Sequence, residues 1–182
     1  RFESVGYPLP HIDVRIVDQD GKPLPAGEEG EIVARGHCVM KGYWNNPDET
    51  AKTVKNGWLH TGDIGKMDED GYVYLLDRLK EVIISGGYNV YPKELENVLY
   101  QHPAVLEAAV VGIADDRLGE VPKAFIVLNE GCTVTEEEIQ RFSLERLASY
   151  KQIRQVEFID EIPKTPTGKL MKRKLIEIKQ NQ

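Results

Sequence analysis

Only two cysteines occur in the 182 residues, Cys38 and Cys132, far apart and without a CxxC pair or any metal-ligand spacing. That excludes a disulfide framework or a cysteine-built metal centre, and the pair reads as reduced packing thiols of a cytosolic chain. No run of about 18 apolar residues is present, so no membrane-spanning helix is expected, and there is no signal-peptide pattern. Positive charge is in the minority, with 23 Lys and Arg against 30 Asp and Glu and a net charge of −7. A general nucleic-acid or anionic-membrane binder needs clustered cations, so neither class is expected. Several catalytic signatures are also missing: the phosphate-loop pattern G-x-x-x-x-G-K-[ST], G-x-S-x-G, H-E-x-x-H and the dinucleotide fingerprint. The four histidines (His11, His37, His60, His102) show no ligand spacing and read as surface or packing residues.

What is present is the texture of a globular α+β protein, 41% hydrophobic and 29% charged. The first part alternates short strands with dense turn chemistry. "HIDVRIVD" (11–18) and "GEIVARG" (30–36) have the period of half-buried strands, and Pro47 and Asp48 open a short helical turn. In "GWLHTGDIGKMDEDGYVYLLD", "DEDG" reads as the turn of a hairpin, with Tyr72 to Leu76 returning. This implies a small β-barrel or sandwich up to about residue 78.

From there the pattern changes. "EVIISGG" is a short strand ending in two glycines, and Pro92 suits the first position of a helix presenting Leu95, Val98 and Leu99. Residues 104–113 and 123–128 read as strands. Thr135 and Glu138 have capping-box spacing, opening a helix on which Ile139, Phe142, Leu147 and Tyr150 share a face. "QVEFI" is a last strand and a basic amphipathic helix ends the chain. Helices and strands without regular βαβ alternation predict a compact mixed α+β domain over 80–182, after a β-rich portion over 1–79. The chain opens "RFESVGYPLP" without an initiator Met, and the expectation is the interior of a longer polypeptide.

Three stretches bear chemistry. Asp63 follows a flexible Thr-Gly, where a carboxylate can accept paired hydrogen bonds such as those of a ribose diol; taken alone, it reads as a turn cap. Arg78 offers a planar fork of donors, and Gly86 and Gly87 allow close backbone approach; an interdomain salt bridge and a tight turn are equally good readings. In "PKTPTGKLMKRKL" (163–175) prolines and Gly168 bracket Lys169, a movable charge suited to meeting an anion, in a tail with six Lys or Arg against one Glu from Lys164 to Gln182. A solvated helix face accounts for that run of cations on composition alone.

Together and in this order these pieces resemble the carboxyl-terminal part of the adenylate-forming (AMP-binding) ligases, acyl-CoA synthetase type. "GEEGEIVARGHCVMKGYWNNPDET", "GWLHTGD", "DRLKEVIISGGYNVYP" and "PKTPTGKLMKRKL" look like four of that family's segments, in register over nearly the whole chain. The resemblance implies that Asp63 binds the ribose hydroxyls of ATP and AMP and that Arg78 contacts ribose or phosphates. It makes Lys80 the hinge, Lys169 the catalytic lysine in acyl-adenylate formation, and Gly86, Gly87 and Tyr88 the lining of the CoA channel. The implied reaction joins a carboxylic acid, foremost a fatty acid, to CoA with ATP, and Mg2+ is held mainly by the region upstream of Arg1. The phosphate loop and acyl pocket belong there too, so this polypeptide alone is expected to be inactive. The implied setting is cytoplasmic, with peripheral membrane association of the full-length protein left open.

One departure stands out. After "LASYK" the family continues toward a proline, whereas here the text is "QIRQVEF", which implies a local loop change without chemical effect. Two other readings stay open. An adenylation domain would pass its acyl group to a carrier protein. A non-catalytic interaction module would retain the fold, and its mark would be loss of Lys169 or Asp63, both of which are present.

Overall fold

A computed structural model describes residues 3–172 and 174–175. The chain divides into two compact units, Arg1–Lys80 and Glu81–Gln182. The class is α+β, built on two sheets.

The first unit is one five-stranded antiparallel sheet, a half-barrel. Its strands are β1 (Ile12–Val17), β2 (Gly30–Gly36), β3 (Val54–Lys55), β4 (Trp58–Met67) and β5 (Val73–Arg78). The long β4 pairs with β2 on one edge and shares its other edge between β3 and β5. Ile16, Val17, Val33, Ile64 and Val73 of this sheet are all buried. The β4–β5 turn is drawn tight by Asp68, whose Oδ1 accepts from the backbone N–H of Asp70 and Tyr72. Helix α1 (Pro47–Thr53) starts on Asn46, which accepts from Glu49 N–H, and buries nothing.

The second unit centres on the long antiparallel pair β8 (Val105–Asp115) and β9 (Gly119–Leu128), with only residues 116–118 between them. On the other side of β9 run β10 (Gln155–Phe158), in parallel, and the hairpin of β6 (Ile83–Ser85) and β7 (Tyr88–Val90), which meets β9 at Gly119. Both faces of the central pair are covered, so its period-2 alternation feeds two cores. Ala108, Val110, Ala124 and Ile126 pack with Leu95 and Leu99 of α2 (Pro92–Leu99) and Ile139 of α3 (Glu136–Leu144). Ala109, Val111, Phe125 and Val127 pack on the opposite face with Ile162 and Leu175, and Leu170 leans on them. Strand β8 is an edge, and one of its free donors, Val110 N–H, is satisfied at 2.8 Å by Glu96 Oε1 of α2.

The Thr135–Glu138 capping box forms in both directions, Thr135 Oγ1 accepting from Glu138 N–H and Glu138 Oε2 from Thr135 N–H. Helix α3 stops at Leu144, however, so Leu147 and Tyr150 lie beyond it rather than on its face. In the stretch after "LASYK", Ile153 is fully buried in the first core. Both cysteines are free and exposed, which corrects their reading as packing residues. The basic terminal helix falls for the most part outside the described residues. Among the described residues no helix is long and apolar enough to cross a membrane.

Candidate functional site

In the first unit the Thr61-Gly62-Asp63 stretch interrupts the β2–β4 ladder. Val33 pairs with His60 and Glu31 with Ile64, so Ile32 alone stands opposite Thr61, Gly62 and Asp63. A bulge of this kind re-aims side chains that a regular strand would alternate. It is braced from three directions. Thr61 Oγ1 donates to Ile32 O at 2.7 Å and accepts from Asp63 N–H at 3.1 Å. Gly62, at φ +70°, donates its N–H to Glu31 Oε1 at 3.1 Å. The other oxygen of Glu31 faces His60 Nδ1 at 2.7 Å, and because a carboxylate only accepts, Nδ1 donates.

So held, Asp63 stands directly across the ladder from Arg78, the last residue of β5, with Oδ1 2.9 Å from Nε. The side chains are 28% and 47% exposed, and the contact at Nε and Oδ1 engages one carboxylate oxygen and one guanidinium nitrogen. The pair is therefore neither a turn cap nor an interdomain salt bridge. It places an acceptor and a donor fork side by side, a set that fits vicinal hydroxyls next to a phosphate. Lys80 follows in an exposed 3-10 turn, Leu79–Glu81.

In the second unit, Gly86 and Gly87 are the two-residue loop of the β6–β7 hairpin, closed by the Ser85–Tyr88 pair. Both have positive φ, +57° and +85°, as a type I′ turn requires, which is why two glycines stand there. Gly86 N–H reaches Leu118 O at 2.8 Å, fixing the loop to the β8–β9 turn. Tyr88 leaves the hairpin 59% exposed and stacks on Tyr150 at 4.8 Å between ring centroids. Next to Tyr150, Lys151 donates to both Glu94 carboxylate oxygens at 2.6 and 2.7 Å. Burial opposes the charge of Lys151, but Glu94 outweighs it and the pKa rises above the ordinary lysine value.

Lys169 stands at the end of a tight turn. Gly168 N–H donates to Thr165 O, Thr165 N–H to Lys169 O, and Lys169 N–H to Thr165 Oγ1, all within 3.0 Å. Pro166 presets the second turn position and Gly168 supplies the left-handed residue at φ +83°, the pattern of a type I turn closed by a glycine bulge. Below the turn Met171 N–H donates to Pro163 O at 2.7 Å. Lys164 and Lys172, on either side, are each engaged by carboxylates. Lys169 is exposed and engaged by none among the described residues. Nor do the described residues include a group of three or more His, Cys, Asp or Glu side chains able to hold a metal ion.

Sequence reasoning located these turns but missed what braces them. Glu31 and His60 are each 16% exposed, and the sequence singles out neither, His60 reading there as a surface or packing residue. Their spacing of 29 residues leaves no local signal.

The profile of the AMP-binding enzyme C-terminal domain matches residues 94–169, and that of the AMP-binding enzyme matches residues 1–44. The chain is 48% identical over 175 residues to the long-chain-fatty-acid–CoA ligase of Bacillus subtilis (strain 168), a match covering 96% of this chain and 31% of that protein. It is 50% identical over 172 residues to the 2-succinylbenzoate–CoA ligase of Bacillus cereus (strain Q1), covering 94% and 35% respectively. Among solved structures, o-succinylbenzoate CoA synthetase from Bacillus subtilis in complex with its acyl-adenylate intermediate superposes with a TM-score of 0.89. That match is 40% identical and covers 96% of this chain and 36% of that one. The chain thus spans about a third of the length of the curated relatives it matches.

Proposed function

The chain belongs to the AMP-binding enzyme family, and from that premise we propose that the whole protein is an ATP-dependent acid–CoA ligase. In the first step a carboxylate oxygen of the acid attacks the α-phosphorus of ATP, the bond to the bridging oxygen breaks, and pyrophosphate leaves. In the second the CoA thiol attacks the acyl carbon of the resulting mixed anhydride and AMP leaves, its bond electrons returning to the phosphate oxygen. Asp63 accepts from the ribose hydroxyls, and Arg78, oriented by Asp63, directs its terminal donors to the ribose or phosphate. Mg2+ would accompany the nucleotide and neutralise phosphate charge, and the described residues offer no group of three or more His, Cys, Asp or Glu to hold it.

The observation that carries the reading is Lys169, an ammonium on a hydrogen-bonded turn whose charge is taken up by no carboxylate among the described residues. Two anions meet in the first step and repel. A cation at 4 Å from either is worth about 4 kcal/mol at an effective dielectric near 20, enough to bring them together and to stabilise charge in the transition state. For the second step the lysine turn withdraws by rotation at Lys80, and the face bearing Gly86, Gly87 and Tyr88 admits the thiol arm of CoA.

A fatty acid is the first candidate substrate, supported by similarity to the long-chain ligase, and the cytoplasm is the setting proposed for the reaction. Aromatic acids belong in the same panel, since other relatives are named for 2-succinylbenzoate and ferulate. The test is pyrophosphate release by the full-length protein over such a panel, followed by thioester formation with CoA and with a carrier protein as rival acceptors. Lys169→Ala lowers adenylation on the order of 10²-fold or more while sparing thioester formation from supplied acyl-adenylate. Equal loss in both half-reactions refutes the assignment of Lys169. Pyrophosphate release by the 182-residue chain alone refutes the expectation that it is inactive by itself.

A further inference from the structure

Three residues beyond Lys169, Lys172 is drawn into the body of the second unit. Its Nζ lies 2.8 Å from Glu96 Oε1 and 3.1 Å from Glu81 Oε2, with side-chain exposures of 17%, 11% and 30% for Lys172, Glu96 and Glu81. Glu96 is also the residue that satisfies Val110 N–H on the open edge of β8. The edge needs an acceptor in that position, and a carboxylate that serves as one while largely buried requires a cation. Lys172 supplies it from the segment that leaves the lysine turn. Glu81 adds a second acceptor and is the first residue after Lys80.

The two legs of the turn are fixed in different ways. The entering leg has Ile162 fully buried and Lys164 paired with Glu107 of β8. The leaving leg has Leu170 partly buried against the second core and Met171 N–H on Pro163 O. Its first charged anchor is Lys172.

We propose that Lys172 is a positioning residue, a clamp on Glu81 and Glu96 that fixes the leaving leg of the turn and makes the Lys169 ammonium move as one body with the second unit. The clamp stands on these contacts. Its catalytic consequence rests on the function proposed above, because a lysine that must reach two anions in one orientation loses rate when its mount loosens by even an ångström. Burial opposes the charge on Lys172, but Glu96 and Glu81 outweigh it, so the ammonium form persists at neutral pH.

The test uses two variants, because Lys172→Met alone strands Glu96 as a buried unpaired charge. Lys172→Met with Glu96→Gln removes the ion pair while the amide oxygen still accepts from Val110 N–H. Lys172→Arg keeps the cation. Amide hydrogen exchange on the 182-residue chain is expected to quicken on the order of tenfold at Gly168, Lys169 and Met171 in the double variant, with the β8–β9 amides unchanged and Arg restoring protection. In the full-length protein the double variant loses about tenfold or more in adenylation and nothing in thioester formation from supplied acyl-adenylate, and Arg again restores the rate. Unchanged exchange in the turn, or equal loss in both half-reactions, overturns the proposal. If the unaltered protein adenylates no acid, the functional reading falls and the exchange rates alone decide whether the clamp exists.

Discussion

Glu31 is the sharpest point at which to break the first unit. Its carboxylate accepts from Gly62 N–H at 3.1 Å and from the His60 ring at 2.7 Å, with both side chains only 16% exposed. Hydrogen bonds to a charged group contribute roughly 1.5–3 kcal/mol each, and taking the lower figure for this half-wet site gives about 3 kcal/mol for Glu31→Ala. Glu31→Gln keeps one acceptor for Gly62 and loses about half of that. The assay can be confined to this unit because both tryptophans, Trp44 and Trp58, lie in it. Trp44 is 92% exposed and changes little on unfolding, whereas the Trp58 ring has Arg15 and Arg35 each 4.6 Å from its centroid. Tryptophan fluorescence in urea therefore follows the half-barrel alone. With an m-value of about 1 kcal/mol/M for a unit this small, the midpoint falls by about 3 M for Ala and about 1.5 M for Gln. An unmoved midpoint for Glu31→Ala, or equal shifts for the two variants, would show that the bulge is held by Thr61 and the ladder without its carboxylate brace.

Three further outcomes are expected in the second unit. Thr135→Ala opens the capping box and lowers stability by about 1 kcal/mol, read by far-UV circular dichroism in urea. Leu95→Ala, at a fully buried position, lowers it by roughly 2–5 kcal/mol on the same assay. The lysine pairs set a pH dependence: Lys151 and Lys172 have folded pKa values above the unfolded one, so their contribution is complete below about pH 10.4 and is lost as pH rises through the folded values. The urea midpoint of this unit thus declines more steeply above that pH in the unaltered chain than in Lys172→Met/Glu96→Gln, and parallel curves would contradict it.

Most of the regular structure was legible because each element announces itself locally. Alternation in 12–17 and 30–36, the Asp68–Gly71 turn, Pro92 at a helix start and the Thr135–Glu138 box depend on residues a few positions apart. Misreadings came where tertiary contact decides. The apolar periodicity after Glu136 runs on to Tyr150, but the helix ends at Leu144 and Tyr150 is used instead against Tyr88. Strand β10 was legible as a strand, but its parallel pairing with β9 was not, since no local pattern encodes the partner.

The same division runs through the candidate site and explains its construction. Asp63, Gly86 and Gly87, and Lys169 each sit where regular pairing is interrupted: a bulge, a two-glycine loop, a glycine-closed turn. Interruptions need glycine, proline or a short hydroxyl residue, so the sequence marks them visibly. An interruption is also the least constrained part of a chain, and a group that must meet a ligand cannot be left loose there. The restraint has to come from elsewhere in the chain, as Glu31 does for Gly62 and as Glu81 and Glu96 do for Lys172. Those carboxylates look like ordinary surface acids in the sequence, because nothing near them in the chain records what they meet or that they are half-buried, Glu96 more deeply. The positions that bear chemistry are therefore readable from punctuation, whereas the residues that give them a fixed geometry become visible only in the fold.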